Sequence, residues 1–173
     1  MSNQVPAWQG PILDNHFHLN RNGRYLDAAH DFKRAGGTNI VLIHCPDFAS
    51  PPTTKEGHRA AYQNTIAMAE SVRTELDLHV RVVLGPHPAA FAHQFIEWVE
   101  QDGAKGKNRA IENYRDSIDE AVKFYHEGNA HAIGEVGRPH WEVSQEIWDL
   151  SNDLLCETMS LAANDGFALQ LHV

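Results

Sequence analysis

The sequence predicts an α/β fold: a parallel (β/α) barrel of the TIM type, of which about five of eight strand–helix units are present. Three observations lead there. Short apolar runs alternate with longer amphipathic stretches along the 173 residues. The second and third runs are rich in β-branched residues, as expected of parallel strands covered on both faces. Residues able to bind metal or carry protons fall at the carboxyl ends of the runs, where barrels of this kind build their sites. An open doubly wound sheet would instead need a Gly-rich phosphate turn after the first strand. Here Phe17-His18-Leu19-Asn20-Arg21 follows, with no G-x-G-x-x-G.

The first run begins at Pro11-Ile12-Leu13-Asp14 and reaches His18. Residues 25–35 read as a helix stopped by Gly36-Gly37. The second run is 39–44, and a long helix of mixed polarity covers 54–75. The third run, 78–84, is stopped by Gly85-Pro86. Two helical stretches follow, near 90–100 and 109–126. The polar, Gly-containing link at 101–107 predicts an exposed loop between them. The fourth run is 130–136. Residues 144–164 form the clearest helix, with Ser144 as N-cap and Gly166 just past the end. Ile147, Leu150, Leu154 and Leu161 mark its apolar face, which Trp148, Leu155, Met159 and Ala162 widen. The fifth run is 167–173.

Composition narrows the class. Hydrophobic residues at 42% and charged residues at 21% exclude a disordered chain. The length fits one domain over residues 1–173. No run of about 18 apolar residues exists, so no membrane partner is expected. Met1-Ser2-Asn3-Gln4 lacks the opening of a secretory signal. Cys45 and Cys156 read as reduced thiols, so the expected compartment is the cytoplasm. Fourteen basic against 23 acidic residues give a net charge of −9. That argues against a broad basic surface for nucleic acid. A nuclease remains open, because bound cations supply local positive charge.

Twelve histidines are the compositional outlier, and histidine is the commonest metal ligand. His16 and His18, two apart on a strand, project to one side. The fourth run ends in Gly134-Glu135-Val136-Gly137 and the fifth in His172. Together they make a ligand set for a divalent transition metal, Zn²⁺ first, with Mn²⁺, Ni²⁺, Fe²⁺ or Mg²⁺ as alternatives. The two oxygens of Glu135 could bridge a pair of ions about 4 Å apart, an arrangement suited to phosphate-ester hydrolysis. His44, ending the second run, and His87, after the third, are candidate substrate contacts. Each residue also has a plainer reading. A His-x-His arises often by chance, and His172 could be a hydrogen-bonded core histidine. Glu135 sits between two glycines, where other backbone could approach closely. His30, His58, His93 and His126 read as surface or packing residues on helices, and Trp98, Trp141 and Trp148 as packing. His79 and His131 take no role.

In order, these motifs resemble the TatD-type metal-dependent hydrolases, among the amidohydrolase-like barrels. Asp14-Asn15-His16-Phe17-His18-Leu19 is similar to the family's opening D-x-H-x-H, and residues 35–41 to its second-strand entry. Gly85-Pro86-His87-Pro88 resembles its G-x-H-P segment, and Ala132-Ile133-Gly134-Glu135-Val136-Gly137 its A-I-G-E-x-G block. Residues 167–172 resemble its fifth strand. The resemblance implies a (β/α)₈ barrel with one or two divalent metals, often cleaving DNA or other phosphodiesters. It implies that His16 and His18 bind one metal, that Glu135 contacts or bridges both, and that His172 binds the second. His87 would lie near the substrate phosphate or carbonyl.

Two departures qualify it. Arg138-Pro139-His140-Trp141 stands where the family usually has Leu-Asp-Tyr, as in an archaeal side branch. Arg138 and His140 are then anion contacts, or Arg138 pairs with a neighbouring acid. A barrel of this type takes about 250 residues, so strands six to eight, with a further metal-binding His and a late Asp, lie outside this sequence. The expectation is an incomplete domain with little turnover alone, its missing half supplied by the full-length chain or another chain. Two other readings compete: C–N or lactone C–O hydrolysis on the same barrel, and a non-catalytic module whose strand edges pair with a partner.

Overall fold

The apolar runs become five strands, each hydrogen-bonded to its neighbour in sequence. They are β1 (Leu13–Phe17), β2 (Asn39–Ile43), β3 (His79–Leu84), β4 (Ala132–Gly137) and β5 (Leu169–His172). All pairs are parallel, in the order β1-β2-β3-β4-β5. The computed structural model describes residues 8–172. Helices α1 (Leu26–Arg34), α2 (Lys55–Leu76), α3 (Pro88–Asp102), α4 (Ala104–His126) and α5 (Gln145–Asp165) make the crossovers. A doubly wound sheet reverses its strand order at a switch point. Here the order never reverses, which is the winding of a barrel, and the five strands form a half-barrel.

The core lies between sheet and helices. Ile40, Leu42, Val80, Val82, Leu84 and Ile133 face Tyr62, Met68 and Val72 of α2, Phe91, Phe95 and Trp98 of α3, and Tyr114, Ile118 and Phe124 of α4. Each such side chain contributes roughly 1.5–3 kcal/mol when fully buried. The other face of the sheet is more open. His79 and Arg81 are exposed beside buried Val80 and Val82, and Leu13 and Leu171 on the edge strands are 57% and 47% exposed. The β-branched strands are therefore covered mainly on their helix side, because five strands do not enclose the barrel axis. Among the described residues, no helix is long and apolar enough to cross a membrane.

Local chemistry sets the helix ends. The Thr54 hydroxyl accepts from the Gly57 N–H at 3.1 Å, and Ser144 from the Ile147 N–H at 3.3 Å, both as N-caps. Gly166 ends α5 at φ 77°. Residues 101–107 differ from expectation. The chain turns at Gly103 alone, and α4 begins at Ala104. Gly106 lies inside α4, where an added Cβ would fall 1.8 Å from the Trp98 carbonyl oxygen. That glycine serves close helix–helix approach rather than a loop. On α5 the buried stripe is Ile147, Ser151, Leu154, Thr158 and Ala162. Trp148 and Met159 lie outside it and are exposed.

Candidate metal centre

The strand-end residues converge on Glu135. Its carboxylate is 4% exposed and has four imidazoles around it. His16 Nε2 lies 3.3 Å from Oε1, and His172 Nε2 lies 3.8 Å from the same oxygen. His18 Nε2 and His87 Nε2 each lie 3.8 Å from Oε2. His16 and His18 face each other with Nε2 atoms 3.0 Å apart. Asp14 Oδ1 accepts the His16 N–H at 2.9 Å where the β1–β2 register slips, and the two imidazoles still point to one side.

Glycines make the convergence possible. An added Cβ at Gly134 would lie 2.7 Å from the Gln170 carbonyl oxygen. One at Gly137, at φ 152°, would lie 1.9 Å from that of His172. The β5 backbone thus runs tightly along β4 and brings His172 beside Glu135.

Hydrogen bonds at the far ring nitrogens assign the tautomers. A carbonyl oxygen only accepts, so His18 donates Nδ1–H to Ile43 (3.2 Å) and His172 donates Nδ1–H to Arg138 (3.0 Å). Both rings then present a bare Nε2 to the cluster, the arrangement in which metal-binding histidines are oriented by a backbone carbonyl. His87 is the reverse. Its Nδ1 accepts the Ala89 N–H at 3.0 Å as the N-cap of α3, so the neutral ring carries its proton on Nε2. Burial, reinforced by His172, His18, His140 and His16, lowers the His87 pKa to about 4. His87 therefore offers a hydrogen-bond donor rather than a lone pair.

These residues fit a divalent cation. Glu135 Oε2 is buried and accepts no hydrogen bond among the described residues, a situation that costs about 1–3 kcal/mol or more for a charged group. Two nitrogens bound to one zinc at about 2.0–2.1 Å in tetrahedral geometry stand about 3.3 Å apart, close to the His16–His18 spacing. Two groups of possible ligands share the carboxylate: His16, His18 and Glu135, and His87, Glu135 and His172, with ligand atoms in each group within 4.8 Å of one another. The His87 tautomer leaves Glu135 and His172 as the lone-pair donors of the second group.

The remaining sequence candidates lie around this centre. His44 is 6% exposed and shares a 2.8 Å Nδ1–Thr65 Oγ1 hydrogen bond, with its ring edge against Tyr62. Burial first, then His58, His18 and His87, lower its pKa to about 3. It lies in the wall toward α2, outside the ligand groups. The Arg138 guanidinium stacks on Trp148 at 5.2 Å and has no carboxylate within 4.0 Å among the described residues. Its backbone brackets His172, donating N–H to that residue's carbonyl at 3.1 Å and accepting from its ring. His140 is exposed at the rim, its ring centroid 5.0 Å from that of His172. Sequence reasoning missed the orienting carbonyls of Ile43 and Arg138 because main-chain partners carry no residue signature. The capping role of His87 had a signal in Pro88, since proline favours the first helical turn.

The chain is a half-barrel whose imidazoles and one carboxylate gather at its strand ends in two groups that could hold a metal ion. The chain belongs to the TatD related DNase family, which it matches over residues 13–173. It is also 28% identical over 165 residues to the uncharacterized protein MJ1127 of Methanocaldococcus jannaschii, covering 94% of this chain and 54% of that protein. That similarity agrees with the archaeal branch suggested by residues 138–141. The chain thus spans about half the length of this curated relative. No solved structure matches it.

Proposed function

We propose that this chain carries the first half of a metal-dependent phosphodiesterase site acting on DNA, with zinc as the favoured ion. The carrying observation is the buried Glu135 carboxylate, one oxygen unpartnered, with four imidazole Nε2 atoms within 3.3–3.8 Å. His16 and His18 would hold one ion and His172 a second, with Glu135 as the carboxylate that would serve both. A cation bound there supplies Lewis acidity to a phosphoryl oxygen and to the attacking water.

The chain's own groups position the rest. The Ile43 and Arg138 carbonyls keep His18 and His172 in the ligand tautomer. His87 donates Nε2–H to a non-bridging phosphoryl oxygen, and as a neutral donor it keeps this role throughout the physiological range. His140 offers a second contact at the rim, and His44 backs the wall. The length of the archaeal relative supports placing the remaining strands in a longer chain or a partner chain. Residues 1–173 alone then turn over little.

The test is DNA hydrolysis by the full-length, metal-loaded protein. Glu135→Gln should lower kcat at least about 100-fold, on the scale of losing one preorganised electrostatic contact. A chelator should abolish the activity, and Zn²⁺ or Mn²⁺ should restore it. Undiminished cleavage by the variant, or in chelator, removes the reading. A parallel panel of cyclic amides and lactones covers the other hydrolytic chemistries. Turnover there without phosphodiester cleavage would replace the substrate class.

A further inference from the structure

A cleft of about 560 Å³ opens between the β1–α1 and β2–α2 loops, lined among others by Leu19, Arg21, His44, Cys45, Phe48 and Asn64. Two of its lining residues, Leu19 and Phe48, lead to the metal centre. Leu19 follows the ligand His18. Phe48, 43% exposed, lines the cleft and sets its ring edge against His87 at 5.2 Å. Burial, and after it the Glu135 carboxylate, push the thiol of the lining residue Cys45 up.

Arg21 is the cation of this cleft. Asn64 Oδ1 accepts its Nε–H at 2.7 Å, and its guanidinium lies 4.9 Å over the Tyr25 ring. The group is held in place by α2 and its own loop, with no carboxylate within 4.0 Å among the described residues. Arg24 on the same loop is paired with Asp31. The acid that shares the cleft, Asp47, turns Oδ1 to the Ala49 N–H at 3.0 Å. A held guanidinium with its Nε satisfied keeps both Nη groups free, a fork that matches two oxygens of one phosphate.

We propose that this cleft is a second anion subsite, in which Arg21 grips the phosphate next to the scissile one and Phe48 lies between the two. The inference rests on the phosphodiesterase reading, and it makes Arg21 a substrate-binding residue and Asn64 its positioning residue. A substrate with one phosphodiester and no neighbour, such as bis(p-nitrophenyl) phosphate, leaves the subsite empty.

The experiment uses the full-length, zinc-loaded protein and three probes: bis(p-nitrophenyl) phosphate, a fluorescein-labelled five-nucleotide thymidine oligonucleotide, and inorganic phosphate. Arg21→Gln should raise KM for the oligonucleotide roughly tenfold, the scale of a hydrogen bond to a charged group, with kcat nearly unchanged. Its kcat/KM on the single diester should stay within about twofold. Oligonucleotide anisotropy should show the same affinity loss. Lys105→Gln removes an exposed charge on α4 and should change neither. Weaker binding of inorganic phosphate with undiminished oligonucleotide affinity would mark a free-phosphate site and overturn the proposal. So would equal losses for Arg21→Gln and Lys105→Gln, or an equal loss on both substrates. Absence of hydrolysis of both esters by the unmutated protein would end the phosphodiesterase reading, and the anisotropy difference would still decide the subsite.

Discussion

Two polar clusters, one between the helices and one at the strand ends, differ in one respect that separates structure from chemistry. Between α2, α3 and α4, His58 Nε2 pairs with Asn113 Oδ1 at 3.0 Å. The Asn113 amide donates to the Pro52 carbonyl and to Gln94 Oε1, and Gln94 donates to Pro52. Tyr62 and Ser117 close the layer at 2.5 Å. Donors there meet acceptors within the chain, and the network ties three helices together. At the strand ends, His16, His18 and His172 turn toward a carboxylate that has an unpartnered oxygen. Finished polar networks fix a fold. An unfinished one, with rings oriented by main-chain carbonyls, has the donors to take a ligand that carries positive charge.

The contrast is broken most easily at Glu135. Glu135→Gln should lower Zn²⁺ affinity at least about 100-fold, since even partners behind the ligands are worth about 10–100-fold; competition with a chromogenic chelator measures it. Without metal, the same variant should melt no lower than the unmodified protein, because it removes a buried unpaired charge. A large loss of metal-free stability would mean that the carboxylate is structural. His18→Ala and His172→Ala should each lower zinc affinity by roughly the same factor. The helix network should behave in the opposite way. Asn113→Ala should lower unfolding free energy by about 1–3 kcal/mol through its stranded partners and leave zinc affinity unchanged.

A smaller effect concerns pH. His44, with a folded pKa of about 3 against 6.5 unfolded, is neutral in the fold where the unfolded chain would take a proton. The unfolded state binds more protons between those values, so stability falls as pH drops from about 6.5 toward 3. His87, lowered to about 4, adds the same sign over its shorter window. The metal-free melting temperature should therefore fall on acidification, and His44→Gln should flatten that slope. An unchanged slope in the variant would show that His44 is not the neutral buried group described here.

Much of this was legible in the sequence because a strand has a fixed reading. Alternation put His16 and His18 on one side, and the apolar runs before Glu135 and His172 placed both at strand ends. The glycines flanking Glu135 also signalled close backbone approach. What escaped depends on distant partners. His58 reads as any helical histidine until Asn113, 55 residues away, comes beside it. The link at 101–107 has loop composition, yet Gly106 is small because Trp98 crosses it. Position alone left Arg138 open to an acid or an anion, and its stacking on Trp148 depends on a residue ten positions on in α5. Trp148 follows the apolar pattern of α5 yet falls outside the buried stripe, because helical periodicity marks a face without fixing its width.

The comparison is tested most directly by the histidine ring nitrogens themselves. Long-range ¹H–¹⁵N spectra of ¹⁵N-labelled protein, recorded during a Zn²⁺ titration, report each imidazole separately. The Nε2 resonances of His16, His18 and His172 should move together and saturate, while those of His58 stay in place. Movement confined to surface rings such as His30, His93 and His126, or none at Nε2 of residues 16, 18 and 172, would contradict the account.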